Sequence, residues 1–148
     1  MTRPIGIYEK ATPKNFTWRE RLAFAKELGF DFVEMSVDES DSRLARLDWT
    51  KKERLDVVQA IYETGIRIPS ICFSGHRRYP LGSNDPKTEA TSLEMMKKCI
   101  ELAQDLGVRT IQLAGYDVYY EEKSPATRAR FIKNLRKACD WLKKLKLF

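Results

Sequence analysis

A five-residue pattern occurs three times in the chain and constrains its fold more than any other feature. It reads acidic residue, any residue, glycine, apolar residue, charged residue, and its copies are Glu27–Asp31, Glu63–Arg67 and Asp105–Arg109. Each copy follows a segment of helical periodicity and precedes a β-rich run, where a glycine can end the helix in the left-handed conformation. Successive copies lie 36 and 42 residues apart, which leaves room for a strand, a loop and a helix. The pattern predicts a serial βα repeat with a parallel sheet.

Strands and helix starts alternate along this repeat. β-rich runs predict four strands at Ile5–Tyr8, Phe32–Ser36, Ile66–Ser74 and Thr110–Ala114. The first two helices are predicted to begin at capping boxes, Thr17 with Glu20 and Thr50 with Glu53. The last two are predicted to begin where proline follows a cap residue, at Asp85–Pro86 and Ser124–Pro125. A long polar loop is expected from the second strand through Asp48.

Apolar spacing predicts the buried face of each helix. For the first helix this face is Trp18, Leu22, Ala25 and Leu28, and for the second it is Leu55, Val58, Ile61 and Tyr62. For the third it is Leu93, Met96, Ile100 and Ala103, and for the fourth it is Phe131, Leu135, Ala138, Leu142 and Leu145.

The connections are unequal in length, which identifies a functional face. Strand-to-helix loops take about nine to fourteen residues in this interpretation, whereas loops of this class ordinarily take about two to six. All the long loops open at the carboxyl ends of the strands, where βα proteins bind ligands. A closed barrel takes eight units and about 250 residues, so residues 1–148 are predicted to form one α/β domain, the (βα)4 half of a TIM barrel. An open doubly wound sheet is the alternative, disfavoured because the first strand lacks a glycine-rich phosphate turn.

Composition indicates a soluble, cytosolic globular domain. Hydrophobic residues make up 43% of the 148 positions, and no apolar run approaches the roughly 20 residues that span a bilayer. The amino terminus leads into a strand rather than a signal peptide, which predicts a cytoplasmic location without membrane association. The three cysteines, Cys72, Cys99 and Cys139, lack metal-type spacing and are predicted to be small buried hydrophobes in a reducing compartment.

The net charge of +6 comes from one end of the chain. Residues 123–148 carry +8, whereas the preceding 122 residues sum to −2. The excess therefore belongs to the last helix, where the basic residues are interpreted as a solvated outer face around an apolar stripe. A nucleic-acid surface is the less favoured alternative, because no basic groove interleaved with aromatic residues accompanies the charge.

Polar residues at the predicted strand ends are the candidate site. Glu34 stands out, because it lies in the apolar run Phe32–Met35, where an unpaired carboxylate would be costly to bury. An internal ion pair and a ligand contact remain equally open for it. His76 is the only histidine, which excludes a multi-histidine metal site within the chain. Its neighbours Arg77 and Arg78 are of the type that holds phosphate oxygens, although a solvated turn is the alternative.

The segment Gly115–Tyr120 contains Tyr116 and two further tyrosines around Asp117. Such a segment suits a pocket wall that both stacks and forms hydrogen bonds, although aromatic packing over the helix start is an equal alternative. Glu34, His76, Arg77, Arg78 and Tyr116 are therefore the predicted substrate-binding residues.

Several long strings resemble the amino-terminal half of the L-ribulose-5-phosphate (L-xylulose-5-phosphate) 3-epimerases. They are Ile7–Ala11, Leu28–Trp49, Ile68–Ser83 and Ile111–Tyr120, so the resemblance covers loops as well as core positions. It implies a xylose-isomerase-like barrel, sugar phosphate substrates and a place in L-ascorbate breakdown. It further implies a metal-assisted epimerisation, in which carboxylates move the proton beside the ketone and a divalent cation stabilises the enediolate.

The family's metal ligands and catalytic acid–base residues lie on later strands than those of this chain. The resemblance therefore assigns no catalytic residue and no metal ligand here, and no bound cofactor is expected. Epimerase activity of this chain alone is doubtful on the same ground. A half-barrel that serves as a binding or assembly module is the alternative function. A half-barrel would also leave two unpaired strand edges and an apolar concave face, which predicts a homo-oligomer or pairing with a carboxyl-terminal half.

Overall fold

Four parallel strands in the order β1-β2-β3-β4 form the sheet of the computed structural model, which describes residues 3–144. The strands are β1 (Gly6–Tyr8), β2 (Phe32–Val37), β3 (Ser70–Phe73) and β4 (Thr110–Leu113). Tyr8 pairs with Glu34 and Met35 pairs with Ile71, so each strand lies beside its neighbour in sequence. The predicted parallel sheet is confirmed, and the third strand is shorter at its start than predicted.

Four longer helices follow the strands in turn. They are α1 (Trp18–Glu27), α3 (Lys51–Thr64), α4 (Pro86–Asp105) and α5 (Pro125–Lys144). A short helix, α2 (Asp41–Leu44), and a 3-10 turn (Ala45–Asp48) occupy the segment predicted to be a polar loop. That prediction was wrong because Arg43 and Arg46 in this segment bind Glu9, and Leu47 packs into the core, which together hold the segment in a compact form.

The three pattern glycines end their helices as predicted. Gly29, Gly65 and Gly107 have φ angles of 80°, 74° and 69°, a region that favours glycine. Both predicted capping boxes are also present, at Thr17 and Thr50. Local sequence therefore determines where the helices begin and end.

One face of the sheet is covered by helices and the other is polar. Val33, Met35, Ile71 and Phe73 are fully or almost fully buried in the core beneath the helices. Successive residues of a strand point to opposite faces, so Tyr8, Glu34, Cys72 and Gln112 line the inner face, and none of these four is fully buried. The expectation of an apolar concave face was therefore wrong.

The buried face of α3 differs from the predicted one. Leu55 and Tyr62 are 64% and 89% exposed, whereas Val57 and Ala60 are buried. Val58 and Ile61 are half-buried against the core. The helix carries apolar residues on two faces, and its packing against α1 and the sheet decides between them.

The apolar stripe of α5 is only partly covered. Ala138 is buried, but Leu142 is 36% exposed and lines a groove of about 400 Å³ with Leu135 and residues of α4 and β4. Leu145, predicted to extend the stripe, lies outside the described residues. No helix of the described part of the chain has the length and hydrophobicity needed to cross a bilayer.

The three cysteines have different environments. Cys99 is buried and burial raises the pKa of its thiol. Cys72 is half-buried on the polar face of the sheet, and Cys139 is exposed beside the groove. The prediction of three buried cysteines was therefore correct for Cys99 alone, because only Cys99 faces the core from α4.

We expect Gly82→Ala to destabilise the fold by about 1–3 kcal/mol, the usual cost of forcing extra atoms into a packed site. A Cβ atom at position 82 would lie 2.5 Å from the Thr127 carbonyl oxygen and 2.7 Å from the Asp117 carbonyl oxygen. Urea unfolding measures the change. Gly115→Ala is the matched control, since no atom lies within 4 Å of its added Cβ, and equal losses in the two variants would contradict the close approach of these loops.

Candidate functional site

Loops that follow β2, β3 and β4 meet at the carboxyl end of the sheet. The Tyr120 hydroxyl donates to the Glu39 carboxylate at 3.1 and 3.2 Å, which joins the loop after β4 to the loop after β2. The rings of Tyr116 and Tyr119 lie 5.1 Å apart, edge to face. Arg77 lies over the Tyr119 ring at 5.2 Å, which brings in the loop after β3. We call Glu39, Arg77, Tyr116, Tyr119 and Tyr120 the tyrosine cluster.

His76 precedes Arg77 of this cluster and is a neutral side chain. It is 6% exposed, and burial lowers its pKa to about 4. Its Nδ1 lies 2.9 Å from the Tyr79 carbonyl oxygen, which can only accept, so Nδ1 carries the proton and Nε2 is left as an acceptor. Among residues 3–144, Nε2 has no hydrogen-bond partner.

The two arginines that follow His76 do not converge. Arg78 donates to the Asp41 carboxylate at 2.6 Å and lies over the Tyr79 ring. Arg77 instead extends towards Tyr119 and forms no ion pair within the described part of the chain. The two arginines are adjacent in sequence, but in the structure their guanidinium groups have different partners.

Glu34 lies on the polar face of β2. Its carboxylate accepts a hydrogen bond from the Ser70 hydroxyl at 2.8 Å and makes no ion pair with any residue from 3 to 144. Its apolar neighbours Val33 and Met35 point to the opposite face, into the core. The apolar run therefore does not bury Glu34, which stays half-exposed on the inner face.

The fully buried carboxylate is Glu9, which follows β1. Its oxygens accept two hydrogen bonds from Arg46 at 2.6 and 2.7 Å and one from the Ser36 backbone N–H at 2.7 Å. Arg43 completes the group at 2.5 Å. Burial alone would raise the pKa of Glu9, but Arg46, Ser36 and Arg43 together outweigh burial and hold that pKa below its ordinary value.

Sequence reasoning did not single out Glu9. The available signal was the pair Arg43 and Arg46, three residues apart in the segment after β2. Trp18 and Trp49 flank Arg46 at 5.3 and 5.5 Å. This aromatic enclosure shields the ion pair from water.

A second set of polar contacts fixes the loop between β3 and α4. Arg130 of α5 donates to the carbonyl oxygens of Gly82 and Ser83 at 2.8 and 2.7 Å. Asn134 donates to the Leu81 carbonyl oxygen at 2.8 Å. Gly82 N–H in turn donates to the Asp117 carbonyl oxygen at 3.0 Å. The loops that carry His76 and Tyr116 are therefore bound to each other and to α5.

The donors present do not fit a divalent cation. Within residues 3–144, no three His, Cys, Asp or Glu side chains are grouped as a metal site. The His76 Nδ1–H is directed at a carbonyl oxygen, and both Glu9 oxygens are bound by arginines. The buried polar atoms at this edge that have no hydrogen-bond partner among residues 3–144 include His76 Nε2 and the Tyr116 hydroxyl.

Comparison with known proteins gives consistent matches. A family model described as xylose isomerase-like TIM barrel matches residues 22–147. Proteins named L-ribulose-5-phosphate 3-epimerase UlaE from Salmonella paratyphi B and Salmonella enteritidis are 59% identical over 137 residues, 93% of this chain and 48% of each relative. The chain spans about half the length of these relatives.

Solved structures resemble the fold at lower sequence identity. A D-psicose 3-epimerase superposes with a TM-score of 0.77 at 16% identity, covering 97% of this chain and 50% of its own. An L-ribulose 3-epimerase superposes with a TM-score of 0.68 at 23% identity, covering 97% of this chain and 47% of its own. At these identities the likeness concerns the fold alone, and it extends over half of each barrel.

We expect Glu9→Gln to lower the free energy of unfolding by about 3–5 kcal/mol at neutral pH, because it leaves buried arginine charge without its partner. The lowered pKa means that the Glu9 contribution is complete above the ordinary glutamate pKa and is lost as pH falls through the lower folded-state value. The difference between wild type and variant should therefore shrink in acid. Urea unfolding at several pH values measures both effects.

Glu34→Gln is the matched control for this prediction. Its carboxylate has one hydroxyl partner and is half-exposed, so its loss should be within about 1 kcal/mol. A larger loss for Glu34→Gln than for Glu9→Gln would refute the assignment of Glu9 as the carboxylate on which the carboxyl end of the sheet depends.

Proposed function

The chain belongs to the xylose isomerase-like TIM barrel family, and from this we propose that it forms the amino-terminal half of an L-ribulose-5-phosphate 3-epimerase. The observation that carries the proposal is the 59% identity to relatives of that name over 93% of this chain. The matched region includes the long loops at the carboxyl ends of the strands. Identity at this level supports a shared substrate more directly than a shared fold does.

The proposed role of this chain is to bind and orient the sugar phosphate. Glu34 would accept from a substrate hydroxyl on the inner face, and the free Nε2 of His76 would accept from another. Tyr116 would donate or accept beside them, and Arg77 would supply positive charge. Arg78, bound by Asp41, would lie at the rim without contacting the substrate. The hydrogen bonds that hold these loops in place support this role, because a substrate is oriented for reaction only by binding groups that keep their positions.

Epimerisation at the carbon beside the ketone requires proton removal on one face and proton return on the other. In the full-length family a divalent cation stabilises the enediolate, as the sequence resemblance implies. The donors of residues 3–144 do not fit such a cation. The proposal therefore gives this chain the substrate wall and leaves proton transfer to residues beyond it, in a cytoplasmic enzyme of L-ascorbate breakdown.

We expect no interconversion of L-ribulose 5-phosphate and L-xylulose 5-phosphate by the purified chain, with or without a divalent cation, because one wall cannot serve both faces of the reacting carbon. Turnover should appear when the chain is mixed with the carboxyl-terminal half of the Salmonella relative. A coupled spectrophotometric assay of each half and of the mixture tests this. The carboxyl-terminal half alone is the control.

Two results would oppose the proposal. Turnover by the chain alone, at the rate of a full barrel, would mean that the chain carries its own acid–base pair. A mixture that forms a stable complex without turnover would favour the alternative, in which the half-barrel is an assembly module without catalysis.

We expect the isolated chain to associate with itself. Within the described residues, β1 and β4 each lack a neighbour on one side, and unpaired edges favour pairing with another chain. The groove that contains Leu135 and Leu142 adds apolar surface beside β4. Sedimentation velocity over a range of protein concentrations is the measurement, and a monodisperse monomer at every concentration would contradict the expectation.

A further inference from the structure

Arginines are concentrated at the carboxyl end of the sheet, and most of them are already paired. Arg43 and Arg46 bind the Glu9 carboxylate. Arg78 binds Asp41 at 2.6 Å. Arg77 alone among these four forms no ion pair with a carboxylate of residues 3–144. A guanidinium group without a carboxylate partner, in a proposed sugar phosphate site, is available for an anion.

The surroundings of Arg77 hold it in place without a carboxylate partner, with the Tyr116 hydroxyl beside its guanidinium group. The Tyr119 ring packs against its guanidinium group at 5.2 Å, an arrangement that leaves the in-plane N–H groups free. Tyr119 is itself packed between Tyr116 at 5.1 Å and Tyr120 at 4.8 Å. The side chain is therefore positioned over a fixed aromatic wall rather than extended freely into solvent.

Tyr116 supplies a second donor beside Arg77. Its hydroxyl oxygen is buried and has no hydrogen-bond partner in the described part of the chain, which is costly unless a ligand satisfies it. Burial raises the pKa of this hydroxyl, and the neighbouring Arg77 opposes the rise. The nearest carboxylate of the cluster, Glu39, is engaged by the Tyr120 hydroxyl, so it does not neutralise Arg77 through an ion pair.

We propose that Arg77 and the Tyr116 hydroxyl form the phosphate subsite of the proposed epimerase, and that Arg78 does not belong to it. The inference rests on the proposed function for the identity of the sugar. The pair recognises a phosphate monoester through a planar guanidinium group and one hydroxyl donor. The subsite decides between a phosphorylated ketopentose and the free sugar, while Arg78 joins the segment after β3 to α2.

Isothermal titration of the chain with L-ribulose 5-phosphate, L-ribulose and inorganic phosphate tests the subsite. Wild type should bind the phosphorylated sugar at least about tenfold more tightly than L-ribulose, the difference expected for one charge-assisted interaction. Arg77→Ala should abolish this preference, and Tyr116→Phe should weaken it in the same direction. Inorganic phosphate should bind weakly in wild type and not measurably in Arg77→Ala, which separates phosphate recognition from sugar recognition.

Two control variants test whether the preference for the phosphorylated sugar comes from the subsite or from positive charge in general. Arg78→Ala removes an adjacent guanidinium group, and Lys14→Ala removes an exposed cation from the loop after β1. Both should leave the preference within about twofold, since neither would contact a phosphate in the proposed subsite. Thermal unfolding should place Arg77→Ala close to wild type, because its side chain is exposed.

Each outcome gives a distinct answer. Equal binding of both sugars by wild type, absence of binding, or an undiminished preference in Arg77→Ala would overturn the subsite. Loss of the preference in Arg78→Ala would transfer the role to that residue and overturn the assignment. A preference that depends on Arg77, combined with no turnover in the mixture of the two half-barrels, would retain the subsite and reject the proposed function.

Discussion

The carboxyl end of the sheet depends on the buried carboxylate of Glu9. A buried charge is tolerated only when it is paired and its lone pairs are used, and Glu9 meets this condition with Arg43, Arg46 and the Ser36 N–H. One side chain thereby connects the end of β1 to the end of β2 and to the helical segment 41–48. The long connection after β2 is compact because its arginines are committed to this carboxylate.

The loops after β3 and β4, at the same edge of the sheet, are held by hydrogen bonds to backbone carbonyl oxygens. Arg130 and Asn134 of α5 hold the carbonyl oxygens of the loop after β3, and Gly82 approaches Asp117 closely enough to exclude a side chain. The tyrosine cluster lies where loops from the two halves meet, since Tyr120 reaches Glu39 across that boundary. The loops that carry the proposed binding groups are held from two sides, which favours a preorganised site.

The similarity in fold and the similarity in sequence support different conclusions about function. A TM-score of 0.77 at 16% identity establishes a common architecture over half of a barrel, and such folds host many activities. The 59% identity to relatives named L-ribulose-5-phosphate 3-epimerase extends over 93% of this chain. The functional proposal therefore depends on loop residues such as His76, Arg77 and Tyr116, and the sheet serves to place them.

The sequence alone determined the four strands, the four longer helices and their order. Glycine is favoured where φ is positive, and a capping side chain accepts a hydrogen bond from a backbone N–H three residues further on. Both effects are local, so the sequence alone predicts the roles of Gly29, Gly65, Gly107, Thr17 and Thr50. The same reasoning identified the edge of the sheet where the polar residues gather. It also identified Met96, Ile100 and Ala103 on the buried face of α4, although Met95, Cys99 and Leu102 are buried as well and widen that face.

Only the tertiary structure decided which polar groups are buried and which are free. The apolar neighbours of Glu34 in sequence predict a carboxylate that is costly to bury. In the structure, side chains alternate along the strand, so Glu34 points away from those neighbours and Glu9 is the buried carboxylate. The α3 helix has two apolar faces, and packing buried Val57 rather than Leu55. Arg77 and Arg78 are adjacent and chemically alike, but Asp41, 37 residues from Arg78, binds only one of them. Burial and pairing depend on residues distant in sequence, so local patterns cannot determine them.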